Sequence, residues 1–129
     1  MTTPYTRKRL TDVKDSAPEF GLGDDMEARF VKDDLDAEKT GCSHHRLKPG
    51  KRQAFGHKHE EAEEVYVVLG GDGRLKLDDE IIEIGTLDAI RIAPDVTRAL
   101  EAGPGGIEIL AFGPRYDGDG ELIQGWWSE

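Results

Sequence analysis

Short runs of apolar residues alternate with polar ones through the second half of the chain, from Glu64 to Phe112. The runs are EVYVVL, GRLKL, EIIEI, AIRIA, TRALEA and IEILAF, and they are separated by Gly, Asp and Pro residues. A period of two is typical of β-strands that bury one face. Six such runs in one segment predict an all-β domain.

The spacers between these runs predict turns. LDDE, from Leu77 to Glu80, has the length of a tight hairpin, while GGDG and GPGG supply glycines that tolerate a positive φ where strands turn. Short and regularly spaced strands favour a sandwich or a barrel, because stacking or closing a sheet hides its unpaired edges.

The flanking segments carry weaker patterns. Residues 1–25 combine mixed charge, two prolines and a GLGDD turn, which predicts an extended N-terminal arm with little core of its own. MEARFVKDD and KTGCSHHRLKPG predict two further short strands, and the tail GPRYDGDGELIQGWWSE is loop-like. We therefore expect one domain in three segments: 1–34 as the arm with the first strand or strands, 35–113 as the barrel, and 114–129 as the C-terminal tail.

The net charge and the cysteine content exclude or disfavour several classes of function. The chain has 27 acidic and 17 basic side chains and a net charge of -10, which disfavours binding to nucleic acid or to an anionic membrane surface. Cys42 is the only cysteine, so an intramolecular disulfide is excluded, and a cytoplasmic setting is the simplest. The N-terminal residues lack the apolar stretch of a signal peptide or a membrane anchor.

Two histidines one residue apart provide the candidate chemistry. On a strand, His57 and His59 would project from the same face, and a carboxylate from the next strand could join them. Two imidazoles and one carboxylate suit zinc, iron, nickel, copper or manganese, and this is the ligand set of non-haem iron enzymes.

The segment from Gly50 to Gly71 resembles the first sequence motif of the cupin superfamily. It has a glycine, a gap of six residues, His57-x-His59, four residues, Glu64, six residues and Gly71; Glu63 with Gly70 is the alternative register. Glu64 is preferred, because VLGGDGRLKLDDE resembles the run that follows this motif in cupins, with Gly71 as the matching glycine. The segment GTLDAIRIAPDVTRALEAG resembles the second motif, with Gly85 and Pro94 at matching positions. The resemblance covers about Leu35 to Gly113 and implies a single-domain double-stranded β-helix, the jelly-roll barrel, and a homodimer.

The second motif departs from the cupin pattern at two positions, which are Asp95, where the family often has a glycine, and Arg98. Arg98 stands where a histidine normally supplies the fourth metal ligand, and a guanidinium offers only donors. Either His57, His59 and Glu64 hold a metal as three ligands while Arg98 receives an anionic substrate, or Arg98 pairs with Glu63 or Glu64 in a metal-free cavity. His44 or His45, on an earlier strand, could replace the missing ligand.

Two functions remain open at this point. The first is a metal-dependent enzyme of the oxygenase or isomerase type that acts on a small anionic or phenolic compound, with Fe, Zn, Ni or Mn as the cofactor. The second is a non-enzymatic barrel that binds a small molecule without metal. In both, Arg98, Tyr66, Phe55 and Phe112 are expected to contact the small molecule, and the sequence assigns no catalytic residue.

Overall fold

The computed structural model describes residues 4–127, which form an antiparallel β-structure, as the alternating pattern predicts. The strands are β1 (Met26–Phe30), β2 (Gly41–Leu47), β3 (Gly56–His59), β4 (Glu64–Leu77), β5 (Glu80–Gly85), β6 (Ala89–Ile92), β7 (Arg98–Gly113) and β8 (Gly120–Ile123). Two single-turn 3-10 helices, Leu10–Asp12 and Ala17–Phe20, precede β1.

One curled sheet contains all eight strands. Its order runs β1-β2-β7-β3-β8, and β4 pairs with β7 along most of its length and with β5 and β6 on its other side. The predicted hairpin at LDDE is present, since Leu77 pairs with Glu80 across Asp78 and Asp79. The two long strands β4 and β7 therefore form the centre of the barrel, and the shorter strands complete its wall.

Two of the predicted turns are bends within continuous strands. The runs on either side of GGDG are both part of β4, and those on either side of GPGG are both part of β7. Gly71 and Gly106 have φ values of 77° and 82°, and the β4–β7 register shifts near Gly71. A Cβ on Gly71 would lie 2.1 Å from the carbonyl oxygen of Gly106. The glycines therefore let two adjacent strands bend together, whereas the sequence predicted that each strand would end.

The core lies on the inward face of the sheet. Val68 on β4 and Ile109 on β7 are paired and almost fully buried, and Leu75 pairs with Leu100 in the same way farther along these strands. Inward residues approach the open end of the barrel in the order Val68, Tyr66 and Glu64 along β4. The apolar core thus ends in a polar layer at one end of the barrel, and this layer contains the candidate site.

Both flanking segments contact the barrel. In the arm, Val13 and Ala17 are 3% and 1% exposed, and Asp15 Oδ1 accepts hydrogen bonds from the backbone of Ala17 and Ala28 at 3.0 and 2.9 Å. The arm therefore adds to the core, contrary to the expectation from its composition. Residues 1–3 and 128–129, at the ends of the predicted arm and tail, lie outside the described residues.

The tail contains a strand that the sequence analysis assigned to a loop. β8 pairs with β3 from Gly56↔Ile123 to His59↔Gly120. Trp126 packs on the face of Gly56, where a Cβ would lie 2.8 Å from the indole ring, and Trp127 Nε1 donates to the Gln53 carbonyl at 2.7 Å. Within residues 4–127, no helix has the length and apolar character needed to cross a membrane.

Candidate metal centre

Three side chains converge at the polar end of the barrel. His57 and His59 alternate with Lys58 on β3 and so share a face, and Glu64 begins β4 after a four-residue connection. Each of the three offers a ligand atom that lies within 4.8 Å of the other two. Glu64 Oε1 is 3.6 Å from His57 Nε2 and 3.3 Å from His59 Nε2. Strand alternation and one short turn are thus sufficient to build the cluster.

The geometry of this cluster fits a metal ion. Two ligand atoms that are each about 2.1 Å from one metal, at an angle of 90° to 110°, lie about 3.0–3.4 Å apart. The two His–Glu separations are close to this range, and the imidazole rings are nearly perpendicular, with an interplanar angle of 87°. The three side chains are half-buried, and two of them, His59 and Glu64, line a cavity. The group could therefore hold a metal ion with open positions.

Glu63, the alternative ligand, points away from the histidines. Its carboxylate accepts a hydrogen bond from Arg91 Nη1 at 3.2 Å, and its side chain is 56% exposed. The Glu64 side chain is 18% exposed and lies among the histidines. Neighbouring residues on a strand project to opposite faces, so only one of the two carboxylates can face the barrel interior.

Arg98 is enclosed by the protein beside this cluster. Its side chain is 0% exposed, and it begins β7, where it pairs with His57. Nη2 donates to Glu64 Oε1 at 2.5 Å, while Nη1 donates to the carbonyls of Val96 and Pro94 at 2.7 and 3.1 Å. The guanidinium thus connects the Glu64 carboxylate to the turn before β7, so Arg98 pairs with Glu64 and, being fully buried, is not presented to a substrate as the first arrangement expected.

These neighbours set the charge state of the site. Burial raises the pKa of Glu64, but hydrogen bonds to His57, His59 and the Arg98 guanidinium outweigh it and hold the pKa well below its usual range. Tyr66 is one inward position deeper on β4 and is 3% exposed. Burial and the nearby Glu64 charge raise the pKa of Tyr66, and Arg98 only partly opposes them. At neutral pH the site therefore contains a carboxylate and a protonated phenol.

Asp119 supports the cluster from the tail. Its carboxylate accepts backbone hydrogen bonds from Glu60, Glu61 and Ala62, at 3.0, 2.7 and 3.2 Å, in the turn that joins His59 to Glu64. Its Oδ2 also lies 3.1 Å from His59 Nδ1. The two atoms are in electrostatic contact, but Nδ1 has no partner with hydrogen-bond geometry within the described residues, so Asp119 acts on the site mainly through the turn. Sequence reasoning missed Asp119, because its only local signal, the flanking glycines, indicates a turn.

His44 and His45 have different neighbours on β2. His44 Nε2 contacts Glu108 Oε2 at 2.5 Å, and the imidazole is buried. His45 Nε2 lies 2.8 Å from Ser43 Oγ, and its ring meets the edge of Phe30. Burial, followed by the nearby His57, lowers the pKa of His45 to about 4, so this imidazole is neutral. Among the described residues, the group that could hold a metal ion consists of His57, His59 and Glu64.

A cavity of about 700 Å³ opens onto the cluster, and His59 and Glu64 form part of its wall. Its other walls come from the arm, from β1 and β2, and from the connection between β7 and β8. Ala111 lines the cavity, whereas Phe112 lies on the opposite face of β7. Phe55 is half-buried in the segment just before β3. The aromatic residues on the cavity wall are instead Phe20, Phe30 and Tyr116.

Comparison with solved structures identifies the architecture. A cupin protein from Bacteroides fragilis is 24% identical, with a TM-score of 0.72 over 91% of this chain and 89% of that one. The chain has the cupin fold. The polyketide cyclase RemF from Streptomyces resistomycificus is 23% identical and gives a TM-score of 0.74 over 100% of this chain and 89% of that one.

A larger protein also contains this fold. Oxalate decarboxylase from Bacillus subtilis is 22% identical and gives a TM-score of 0.75 over 94% of this chain, which spans 32% of the decarboxylase chain. A scan against protein-family models found no match, and a search of curated proteins by sequence found none either. At identities of 22–24%, these likenesses establish the cupin fold, and the arguments about chemistry rest on the residues of the site.

Proposed function

We propose that this protein is a metal-dependent cupin enzyme that acts on a small anionic or phenolic compound. The observation that carries the proposal is the convergence of His57, His59 and Glu64, of which His59 and Glu64 line a cavity large enough for a small organic molecule. His57 Nε2, His59 Nε2 and a carboxylate oxygen of Glu64 would hold Fe, Zn, Ni or Mn. A divalent ion bound there supplies Lewis-acid chemistry toward a substrate or dioxygen.

In this proposal Arg98 positions Glu64 and does not contact the substrate. The guanidinium is held by carbonyls on one nitrogen and by Glu64 on the other, so it fixes the orientation of the carboxylate. Asp119 holds the connecting turn through backbone hydrogen bonds, and its carboxylate lies 3.1 Å from His59 Nδ1. Tyr66 is a buried protonated phenol one inward position deeper than Glu64 on β4, and it does not line the cavity.

The test of this function is turnover. The protein reconstituted separately with iron, zinc, nickel and manganese is incubated with a panel of small phenols and organic acids, and substrate loss is followed by chromatography. The matched control is the His57→Ala/His59→Ala double variant. We expect at least one metal to support turnover that the double variant lacks. Identical rates in the two proteins, or no turnover with any metal across the panel, would contradict the proposal.

A second candidate function is supported by the Arg98–Glu64 contact. A buried guanidinium at 2.5 Å already neutralises the Glu64 carboxylate, so the same cavity could bind a small molecule without metal. The two candidates differ in metal uptake: a binding barrel would take up none of the four metals and would still bind a ligand. We also keep a homodimer and a cytoplasmic location as proposals, of which the first is tested by light scattering on the purified chain.

A further inference from the structure

The strand that carries both candidate metal-binding imidazoles is held mainly by the tail. Within residues 4–127, β3 pairs with β7 only at His57↔Arg98. A backbone hydrogen bond also joins it to the loop before β7, from the His59 N–H to the Pro94 carbonyl at 2.8 Å. On its other side β3 pairs with β8 at all four of its residues. The positions of His57 and His59 in the barrel wall therefore depend largely on β8.

β8 has little core of its own to hold it in place. Gly120, Glu121 and Leu122 are exposed, and Ile123 is half-buried. β8 is also an edge strand: β3 is its partner on one side, and within the described part of the chain no strand pairs with it on the other. A strand with few buried apolar contacts opens easily by itself. Stable pairing with β3 therefore needs anchors in the residues that flank β8.

Trp126 provides one anchor, directly beside the start of β3. Its indole packs on Gly56, where a Cβ would lie 2.8 Å from the indole Cγ and 3.0 Å from Cδ1, so a side chain at position 56 would displace the indole. Lys76 Nζ lies 4.5 Å from the centroid of the indole ring and donates to the Trp126 carbonyl at 2.6 Å. Because Lys76 is on β4, these contacts join the tail to both β3 and β4.

Trp127 and Asp119 provide the other anchors, on either side of β3. Trp127 Nε1 donates to the Gln53 carbonyl at 2.7 Å, and the guanidinium carbon of Arg52 lies 4.6 Å from the centroid of the indole ring. Gln53 and Arg52 precede β3 in the chain. Asp119 accepts three backbone hydrogen bonds from the turn that follows β3. The tail is thus fixed to the chain both before and after the two histidines.

We infer that residues 119–127 form a tail clamp that holds His57 and His59 in position, with Trp126 and Trp127 as positioning residues. The inference rests on the proposed function, because these imidazoles belong to the proposed metal centre. Full affinity for a metal requires both imidazoles to be in place. The apparent dissociation constant therefore rises in inverse proportion to the fraction of molecules in which β3 is correctly paired. Loss of the tryptophan anchors lowers that fraction and leaves the ligands themselves unchanged.

The test measures zinc affinity and backbone opening in the Trp126→Ala/Trp127→Ala double variant. Zinc affinity is obtained by competition with a chromophoric chelator, and hydrogen exchange of chelator-treated protein is followed by mass spectrometry. We expect zinc binding to weaken by about tenfold, which corresponds to β3 being in place in about one-tenth of the molecules. Amide exchange in β3 should accelerate by at least about tenfold, while exchange in β2 stays as in the parent.

Two further variants separate positioning from general stability. Trp126→Phe should keep zinc affinity within about twofold of the parent, because phenylalanine retains the Cγ and Cδ1 atoms that pack on Gly56. Trp126 Nε1 has no hydrogen-bond partner among the described residues, so its loss breaks no hydrogen bond. Leu110→Ala removes a half-buried side chain from β7 where this strand pairs with β2 and β4, away from β3. It should lower the free energy of unfolding and leave zinc affinity unchanged.

Circular dichroism checks that each variant is folded. If the double variant is not, Trp127→Ala alone carries the test, with zinc binding weakened by about threefold or more. Unchanged zinc affinity in the folded alanine variant, an equal loss in Leu110→Ala, or β3 exchange that does not accelerate would overturn the inference.

The outcomes also separate the tail clamp from the proposed function. A parent that takes up none of the four metals, with β3 exchange accelerated in the double variant, would refute the proposed function and leave the tail clamp standing. Zinc uptake by the parent with an affinity that the double variant leaves unchanged would do the reverse.

Discussion

Glu64→Gln tests whether the buried contact with Arg98 holds the polar end of the barrel together. The substitution keeps the shape of the side chain and one acceptor oxygen but removes the charge. Arg98, with a side chain that is 0% exposed, would then be a buried cation without a counter-charge. The matched control is Glu63→Gln on the adjacent residue, whose carboxylate pairs with Arg91 at 3.2 Å in solvent.

The two substitutions should lower the free energy of unfolding by very different amounts. Removing one partner of a buried ion pair costs about 3–5 kcal/mol, and we expect the lower end, about 3 kcal/mol, because the amide oxygen can still accept from Arg98. Breaking the exposed Glu63–Arg91 pair should cost about 0.5 kcal/mol or less. For a chain of this size, about 3 kcal/mol corresponds to a fall in Tm of about 9–15 °C.

Thermal and urea unfolding of chelator-treated protein, followed by circular dichroism, would measure this difference. The Glu64→Gln/Arg98→Met double variant should recover at least half of the lost stability, because no buried charge remains unpaired. If Glu64→Gln and Glu63→Gln lower the free energy of unfolding by amounts that agree within about 0.5 kcal/mol, the electrostatic role assigned to the Arg98 contact is refuted.

Other expected outcomes concern metal binding and pH. Asp119→Asn should weaken zinc binding by about 10–100-fold, measured by competition with a chelator. Unchanged zinc affinity in a folded variant would contradict the supporting role assigned to Asp119. Arg98→His should raise metal retention after dialysis by about tenfold or more, because it removes a cation and adds an imidazole; equal or lower retention would count against Arg98 at the fourth-ligand position. The pKa of Glu64 is lower in the folded protein than in the unfolded chain, where it is about 4.3. The ionised carboxylate therefore contributes its full stabilisation of the fold above about pH 4.3, and this contribution is lost as the pH falls toward the folded pKa. Acid titration of metal-free protein should therefore show a shallower stability loss in Glu64→Gln than in the parent, and parallel curves would argue against the lowered pKa.

The sequence predicted those features that depend on local periodicity. Alternation identified the strands between Glu64 and Phe112, and the same period of two placed His57 and His59 on one face. It could not show that Gly71 and Gly106 bend continuous strands, because a glycine with a positive φ is equally compatible with a turn and with a bulge.

Features that depend on long-range contacts were not visible in the sequence. Asp119 is sixty residues from His59, and its role follows from the pairing of β8 with β3, which no local pattern encodes. The environment of Arg98 likewise depends on the turn before β7, whose carbonyls hold its Nη1. Phe112 was expected near the small molecule, but its place on the outer face of β7 follows from the strand register.

Metal content is the most direct test of the proposed centre. Elemental analysis would be performed on untagged protein prepared without chelator, and again after incubation with iron, zinc, nickel and manganese, beside the His57→Ala/His59→Ala variant. The proposed centre predicts about one metal ion per chain in the parent and almost none in the variant. An absence of metal from the parent under all these conditions, or equal metal in both proteins, would contradict a centre built from His57, His59 and Glu64.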